Sequence, residues 1–267
     1  KTDTVTVMEK IGHFLDTANR ELADEYGGQL NPEELSLFIE EHLDLAQVLK
    51  KAAKDFDGGY AMAGVTGYGA GFVIRDPNGI RPACYYADEE IIVVASEKPA
   101  IKTAFNIDYN RIKDIPPGNA LVYNKDGDYS IQEIIEPGEQ KSCSFERIYF
   151  SRGTDPDIYQ ERKNLGKELI PQILRAIDYD LEHAVFSYIP NTAETAFLGM
   201  IQELERYSIE EQLKALDNPD LTNQDLKPLL ENRVRVEKLV LKDVKMRTFI
   251  TNDADRDEMV AHVYDTT

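Results

Sequence analysis

The chain has 267 residues, 42% apolar and 30% charged, enough for one large globular domain or two modest ones. Its formal net charge of −19 argues against DNA, RNA or an anionic membrane as a partner, since a polyanion is repelled by all three. Cys84 and Cys143 make no disulfide framework, and neither a membrane span nor a signal peptide is visible, so a reducing, cytoplasmic setting is expected.

Val5, Met8, Ile11, Leu15, Ala18 and Leu22 recur at helical spacing, after a cap at Thr2 or Asp3 and before Gly27 and Gly28. A second helix is expected from Asn31 to about His42, with Pro32 in its first position and Glu34 three residues after the cap. A third covers roughly Leu43 to Phe56. The texture then changes to short β-type runs. Tyr60–Thr66, Gly71–Arg75, Ala83–Tyr86 and Ile91–Ala95 read as successive antiparallel strands. Asp76-Pro-Asn-Gly79 has the residues of a type I turn. A short helix follows Ser96 to Phe105, and Ala120–Asn124 and Ser130–Ile134 complete a meander with one sheet face covered by helices.

From about residue 146 the pattern alternates. Ile148–Ser151 reads as a strand, Tyr159–Ile177 as a long helix, Ala184–Ile189 as a strand and Ala193–Glu205 as a helix, which argues for a parallel sheet. The polar stretch 207–233 reads as two short inserted helices, Val236–Val244 and Arg247–Ile250 as strands, and Met259–Tyr264 as a strand or helix. The expected organisation is therefore an α+β domain over 1–145 and an α/β domain over 146–267. Lys1 in place of an initiator Met, and Thr267 without a turn or cap, suggest a piece of a longer protein.

The most distinctive run is Arg75-Asp-Pro-Asn-Gly-Ile-Arg-Pro82, on its own a hairpin turn with an arginine at each end, each able to pair with a carboxylate. Around it lie Asp57-Gly-Gly-Tyr-Ala61, Val94-Ala-Ser-Glu97 (a Ser cap and a Glu at a strand end) and Pro117-Gly118. In this order they resemble the class II glutamine amidotransferase domain. Cys143-Ser-Phe-Glu-Arg-Ile-Tyr-Phe-Ser-Arg152, Tyr159-x-x-Arg162-x-x-Leu-Gly166, Ile189-Pro-Asn-Thr-Ala193 and Arg247-Thr-Phe-Ile250 resemble the transferase domain of amidophosphoribosyltransferases. Only 207–245 has no counterpart in that family.

The resemblance implies the later part of an Ntn-hydrolase-type layered sandwich followed by the early part of a phosphoribosyltransferase domain. It implies hydrolysis of glutamine by an N-terminal cysteine and passage of the ammonia to phosphoribosyl pyrophosphate, giving phosphoribosylamine, the first step of purine synthesis. The family's nucleophile and main phosphate loop have no counterpart in these 267 residues, so this polypeptide by itself is expected to be inactive. Neither Cys84 nor Cys143 carries the free α-amine that would serve as base.

Three residues carry over. Asp3, in Thr2-Asp3-Thr4, matches the carboxylate that binds the glutamine α-amino group; read without the resemblance it is a plain N-cap. Thr192 matches a hydroxyl residue associated with Mg²⁺ and phosphoribosyl pyrophosphate; its alternative is again a cap. Arg247 matches the start of a substrate-covering loop, although Asn252-Asp-Ala-Asp-Arg-Asp-Glu258 replaces the family's basic run with an acidic one. Cys143 matches one of four ligands to a 4Fe–4S cluster in some members, but one cysteine does not support a cluster here. A homo-oligomer is expected. The alternatives are a non-catalytic regulatory homologue and a class II amidotransferase with a different acceptor.

Overall fold

In a computed structural model, the described residues are 2–218, 222–242 and 264–266. The chain divides into two compact units, Lys1–Phe150 and Ser151–Thr267.

The first unit opens with α1 (Asp3–Tyr26), α2 (Pro32–His42) and α3 (Leu45–Ala52). The start of α2 follows from its cap: Asn31 accepts from the N–H groups of Glu33 and Glu34, and Glu34 reaches back to the Asn31 N–H. The third helix is shorter than expected, because Asp44 caps it by accepting from Gln47 N–H and a 3₁₀ turn, Ala53–Asp55, ends it.

The strands do not form one meander. β1 (Ala61–Val65), β2 (Gly71–Arg75), β6 (Asn119–Tyr123) and β7 (Tyr129–Glu133) make a four-stranded antiparallel sheet in the order β1-β2-β6-β7. β3 (Cys84–Ala87), β4 (Ile92–Ala95) and β5 (Lys113–Asp114) make a separate three-stranded sheet in the order β4-β3-β5. The reason is legible in β2, whose first four residues are all buried; such a strand has both faces covered. Because successive side chains point to opposite faces, Phe72 and Ile74 pack on α3 with Ala46, Leu49 and Ala120. Val73 and Leu121 pack the other way, against Tyr85 of the second sheet and Ala83 just before it. Behind that sheet, Ile101 of α4 (Lys98–Phe105) covers Cys84 and Tyr86. The layers run helix, sheet, sheet, helix, so the second sheet occupies the face expected to lie open. Ile148–Ser151 was expected as a strand; instead Glu146–Phe150 forms a single π-helical turn, since a run of three apolar residues carries no decisive period.

In the second unit the expected long helix is two, α5 (Pro156–Glu168) and α6 (Ile170–Ala176), broken at Leu169. Pro171 supplies the break: it lacks an N–H, and its ring would clash with the carbonyl one turn back. β8 (Val185–Phe186) and β9 (Arg235–Val236) pair in parallel, a shorter version of the expected arrangement. Helix α7 (Glu194–Leu216) continues through the first half of the stretch read as inserted, and α8 (Asn223–Glu231) occupies the second half. β10 (Val240–Lys242) pairs antiparallel with β11 (Tyr264–Thr266). The expected strand Arg247–Ile250 lies outside the described residues.

The core of this unit joins Ile170 and Leu174 of α6, Phe186 of β8, and Phe197, Met200 and Leu204 of α7. Two glycines let α5 and α7 meet backbone to backbone. A Cβ on Gly166 would lie 1.7 Å from the Ala196 carbonyl oxygen, and one on Gly199 would lie 2.0 Å from that of Lys163.

Candidate functional site

The run from Arg75 to Pro82 is not a hairpin but a crossing from the first sheet to the second. The turn itself is present, with Gly79 N–H donating to Asp76 O at 3.1 Å and Gly79 at φ +61°. What redirects the chain is the Asp76 side chain, which is fully buried. Its Oδ1 accepts from the N–H groups of Asn78 (3.1 Å) and Ile80 (2.9 Å), and its Oδ2 from Arg81 N–H (2.9 Å). A buried carboxylate needs such donors, because desolvation without them is prohibitive.

Neither arginine makes the bidentate carboxylate pair that its type suggested. Arg75 donates to three carbonyls instead: Arg81 O at 2.8 Å, Ile115 O at 2.7 Å and Gly79 O at 3.1 Å. It staples the loop to the residue that follows β5. Arg81 donates through Nη1 to Glu146 Oε2 at 2.5 Å, with the Arg81 side chain 45% exposed and that of Glu146 9%. Gly118 joins the same hub. Its N–H donates to Asp76 O at 3.0 Å, and at φ +72° a Cβ there would lie 2.3 Å from Ile135 O. Tyr60 stands beside it: the Asp76 N–H donates to the Tyr60 carbonyl. The Tyr60 hydroxyl is buried without a hydrogen-bond partner. Burial, with the Asp76 charge adding to it, pushes that hydroxyl up to about 12. Sequence reasoning missed Glu146 and Tyr60; the only signal was their presence inside the quoted motifs.

Asp3 is the first residue of α1 and is exposed, where the positive end of the helix favours a carboxylate. Thr2, not Asp3, occupies the cap position, without a side-chain capping bond. Its neighbour Thr4 lines a groove of about 530 Å³ with Val7, Met8, Leu45, Met62 and Val65. Ser96 was expected as the cap of the next helix, but Glu97 holds that position.

Thr192 belongs to the second unit. It lies between β8 and α7, in the turn closed by Glu194 N–H donating to Asn191 O at 3.2 Å. Ala193, not Thr192, is the cap residue of α7. Tyr188 donates to Glu194 Oε1 at 3.1 Å beside it. Thr192 thus offers one half-buried neutral oxygen at the approach to a long helix N-terminus. Mg²⁺ held there would draw its remaining ligands from substrate phosphates and water, as this ion commonly does. The Cys84 thiol is buried in β3, donating to Ala95 O at 3.2 Å, which leaves Cys143 as the cysteine of this chain to which the cluster expectation attaches. Arg247 lies outside the described residues. Asp3 and Thr192 fall in different units, and Arg75, Asp76, Arg81 and Glu146 are the motif residues brought together within one.

The architecture resembles that of solved glutamine phosphoribosylpyrophosphate amidotransferases. One, from B. subtilis complexed with ADP and GMP, aligns over 95% of this chain and 50% of its own with a TM-score of 0.55 and 22% identity. A second, described as the allosteric regulatory enzyme of purine biosynthesis, aligns over 91% of this chain and 46% of its own with a TM-score of 0.53 and 23% identity. In sequence, the chain is 30% identical over 181 residues to the amidophosphoribosyltransferase of Archaeoglobus fulgidus, covering 63% of this chain and 35% of that protein. It is 28% identical over 180 residues to that of Lachancea kluyveri, covering 61% and 34%. It is 30% identical over 183 residues to that of Methanocaldococcus jannaschii, covering 60% and 36%. No protein-family model matches. The chain spans about a third of the length of these curated relatives. The resemblance drawn from the motifs is borne out: the curated proteins that this chain is similar to are amidophosphoribosyltransferases.

Proposed function

We propose that this chain is part of a glutamine-dependent amidophosphoribosyltransferase, with the later part of a layered Ntn-type glutaminase domain in residues 1–145 and the early part of a phosphoribosyltransferase domain in 146–267. The overall reaction takes glutamine, water and phosphoribosyl pyrophosphate to glutamate, phosphoribosylamine and pyrophosphate, in a cytoplasmic homo-oligomer. The observation that carries this reading is 30% identity over 181 residues to an enzyme of that name.

In this reading the Asp3 carboxylate receives the α-ammonium of glutamine, a pairing supported by its place in the first turn of α1. Thr192 turns its hydroxyl toward the phosphoribosyl substrate, and Arg247 holds a phosphate of the same molecule. When bound, Mg²⁺ spreads the charge of the departing pyrophosphate.

Two measurements test the proposal. The gene flanking this sequence is expected to encode Cys directly after the initiator Met upstream, and a paired-Asp phosphate loop downstream. Calorimetric titration of phosphoribosyl pyrophosphate with Mg²⁺ into the full-length product is expected to show saturable binding. Thr192→Val is expected to weaken it roughly tenfold, the value of one hydrogen bond to a charged ligand. Flanks without either feature, together with no binding, refute the reading. The acidic run Asn252–Glu258 favours a second one, a regulatory homologue, because carboxylates beside a pyrophosphate repel it; tight substrate binding excludes that alternative.

A further inference from the structure

Residues 138–146 do not hang from the end of β7 as a free connector. Gly138 N–H donates to Pro77 O at 2.9 Å, and Lys141 N–H to Asn78 O at 2.8 Å. Asn78 returns a bond from Nδ2 to Glu139 O at 2.8 Å. A Cβ on Gly138 would lie 2.6 Å from Asn78 Nδ2, so any larger residue there would have to displace the Asn78 side chain. The series ends on Arg81 and Glu146, the one ionic contact in it, with the glutamate at the buried side. All four contacts fall on the loop that Asp76 and Arg75 hold rigid. The last of them lies five residues before Ser151, where the second unit begins.

We propose that Arg81 and Glu146 form a clasp, locking the connecting segment 138–150 onto the first unit and so fixing where the chain leaves it. Both are positioning residues. The chemistry supports this assignment. A buried carboxylate tolerates its surroundings only while its cation is in place, so the segment is docked as long as the pair is formed. Removing either partner leaves Glu146 uncompensated, or Arg81 without a target, and the segment lifts. The clasp rests on contacts within the first unit and stands or falls apart from the amidotransferase reading. If that reading holds, the clasp fixes the point at which the chain leaves the glutaminase domain.

The segment carries its own reporters. Lys141, Arg147 and Arg152 are trypsin sites within or next to it, and Cys143 is a half-buried thiol, while Cys84 is 2% exposed. The test compares the 267-residue chain with Arg81→Ala, Glu146→Gln and Arg81→Lys. Brief trypsin digestion is read by mass, and thiol modification by Ellman's reagent is read as a rate. Arg81→Ala is expected to raise cleavage at the three sites and Cys143 modification about tenfold, reflecting local opening. Glu146→Gln, which keeps the shape and the acceptor oxygen, is expected to give a smaller rise, and Arg81→Lys, which keeps the charge, a partial restoration. Wild-type rates in both Arg81→Ala and Glu146→Gln overturn the clasp. So does an increase spread evenly over sites elsewhere in the first unit, such as Lys54 and Lys113, because that would report general loss of stability. Should Arg81→Ala fail to fold, Glu146→Gln decides alone: an increase confined to 138–152 supports the clasp and no increase overturns it.

Discussion

Replacing Gly166 by alanine isolates the contact on which the second unit is built. On an isolated helix the change is favourable, since alanine has the better helix propensity by about 1 kcal/mol. Here the new Cβ would lie 1.7 Å from the Ala196 carbonyl oxygen, 2.7 Å from its carbon and 2.8 Å from Met200 N. All three are backbone atoms of α7, so no side chain can rotate out of the way. Ordinary contact requires α5 and α7 to separate by roughly 1.5–2 Å. Phe197, Met200 and Leu204 sit on that same helix and pack on Ile170 and Leu174, so the separation opens the core of the unit. Overpacking of this kind costs about 1–3 kcal/mol, and immovable backbone puts it at the upper end. After the propensity gain, a net loss of about 2 kcal/mol is expected, a fall in melting temperature of roughly 8–12 °C for the unit. Calorimetry or circular dichroism on the folded chain measures it. The control is Gly12→Ala in α1, where nothing lies within 4 Å and propensity acts alone; it is expected to stabilise the first unit by about 0.5–1 kcal/mol. Equal effects of the two substitutions would refute the reasoning, because the close crossing would then carry no weight.

Three further outcomes are expected. Tyr60→Phe removes a buried hydroxyl without a partner and is expected to stabilise the first unit by about 1 kcal/mol in urea unfolding. The folded state raises this hydroxyl from 10.0 to about 12, so it favours the neutral phenol. That contribution is whole below pH 10 and is lost as pH rises through 12, so the advantage of the Phe variant should widen across that window; a constant gap counts against it. Asp76→Ala orphans three backbone N–H groups and is expected to cost about 3–5 kcal/mol, with Asp76→Asn costing less because one acceptor oxygen stays; equal losses in the two variants would show that acceptor geometry is irrelevant. Finally, this polypeptide alone is expected to release no ammonia from glutamine, since Cys84 is buried and Cys143 lacks an α-amine; thiol-dependent ammonia release in a coupled assay would contradict that.

Local chemistry made much of the secondary structure legible from residues alone. Asn31, Pro32 and Glu34 announce α2 to within a residue, because a capping box is a contact between neighbours in sequence. Gly71–Arg75 was readable as a strand because Phe72, Val73 and Ile74 are apolar and turn residues stand on both sides. The break at Leu169 has a local cause too, in Pro171, which the single helix expected over Tyr159–Ile177 did not take into account. Motif order along the chain pointed to the family, since it needs no knowledge of which residues touch.

Tertiary structure alone decided how the pieces combine. The number of sheets depended on Asp76, whose three bonds turn an apparent hairpin into a crossing, and nothing in a four-residue turn signal separates the two. Arg75 looked like a carboxylate binder and became a staple for carbonyls, because its partners include one 40 residues away. Arg81 finds Glu146 across 65 residues of chain, and Gly166 finds the Ala196 carbonyl on another helix. Residue type and spacing determine what a short segment can form. Which distant group desolvates it, pairs with it or presses against it is a property of the packed chain, and those contacts set the role of each motif residue in this protein.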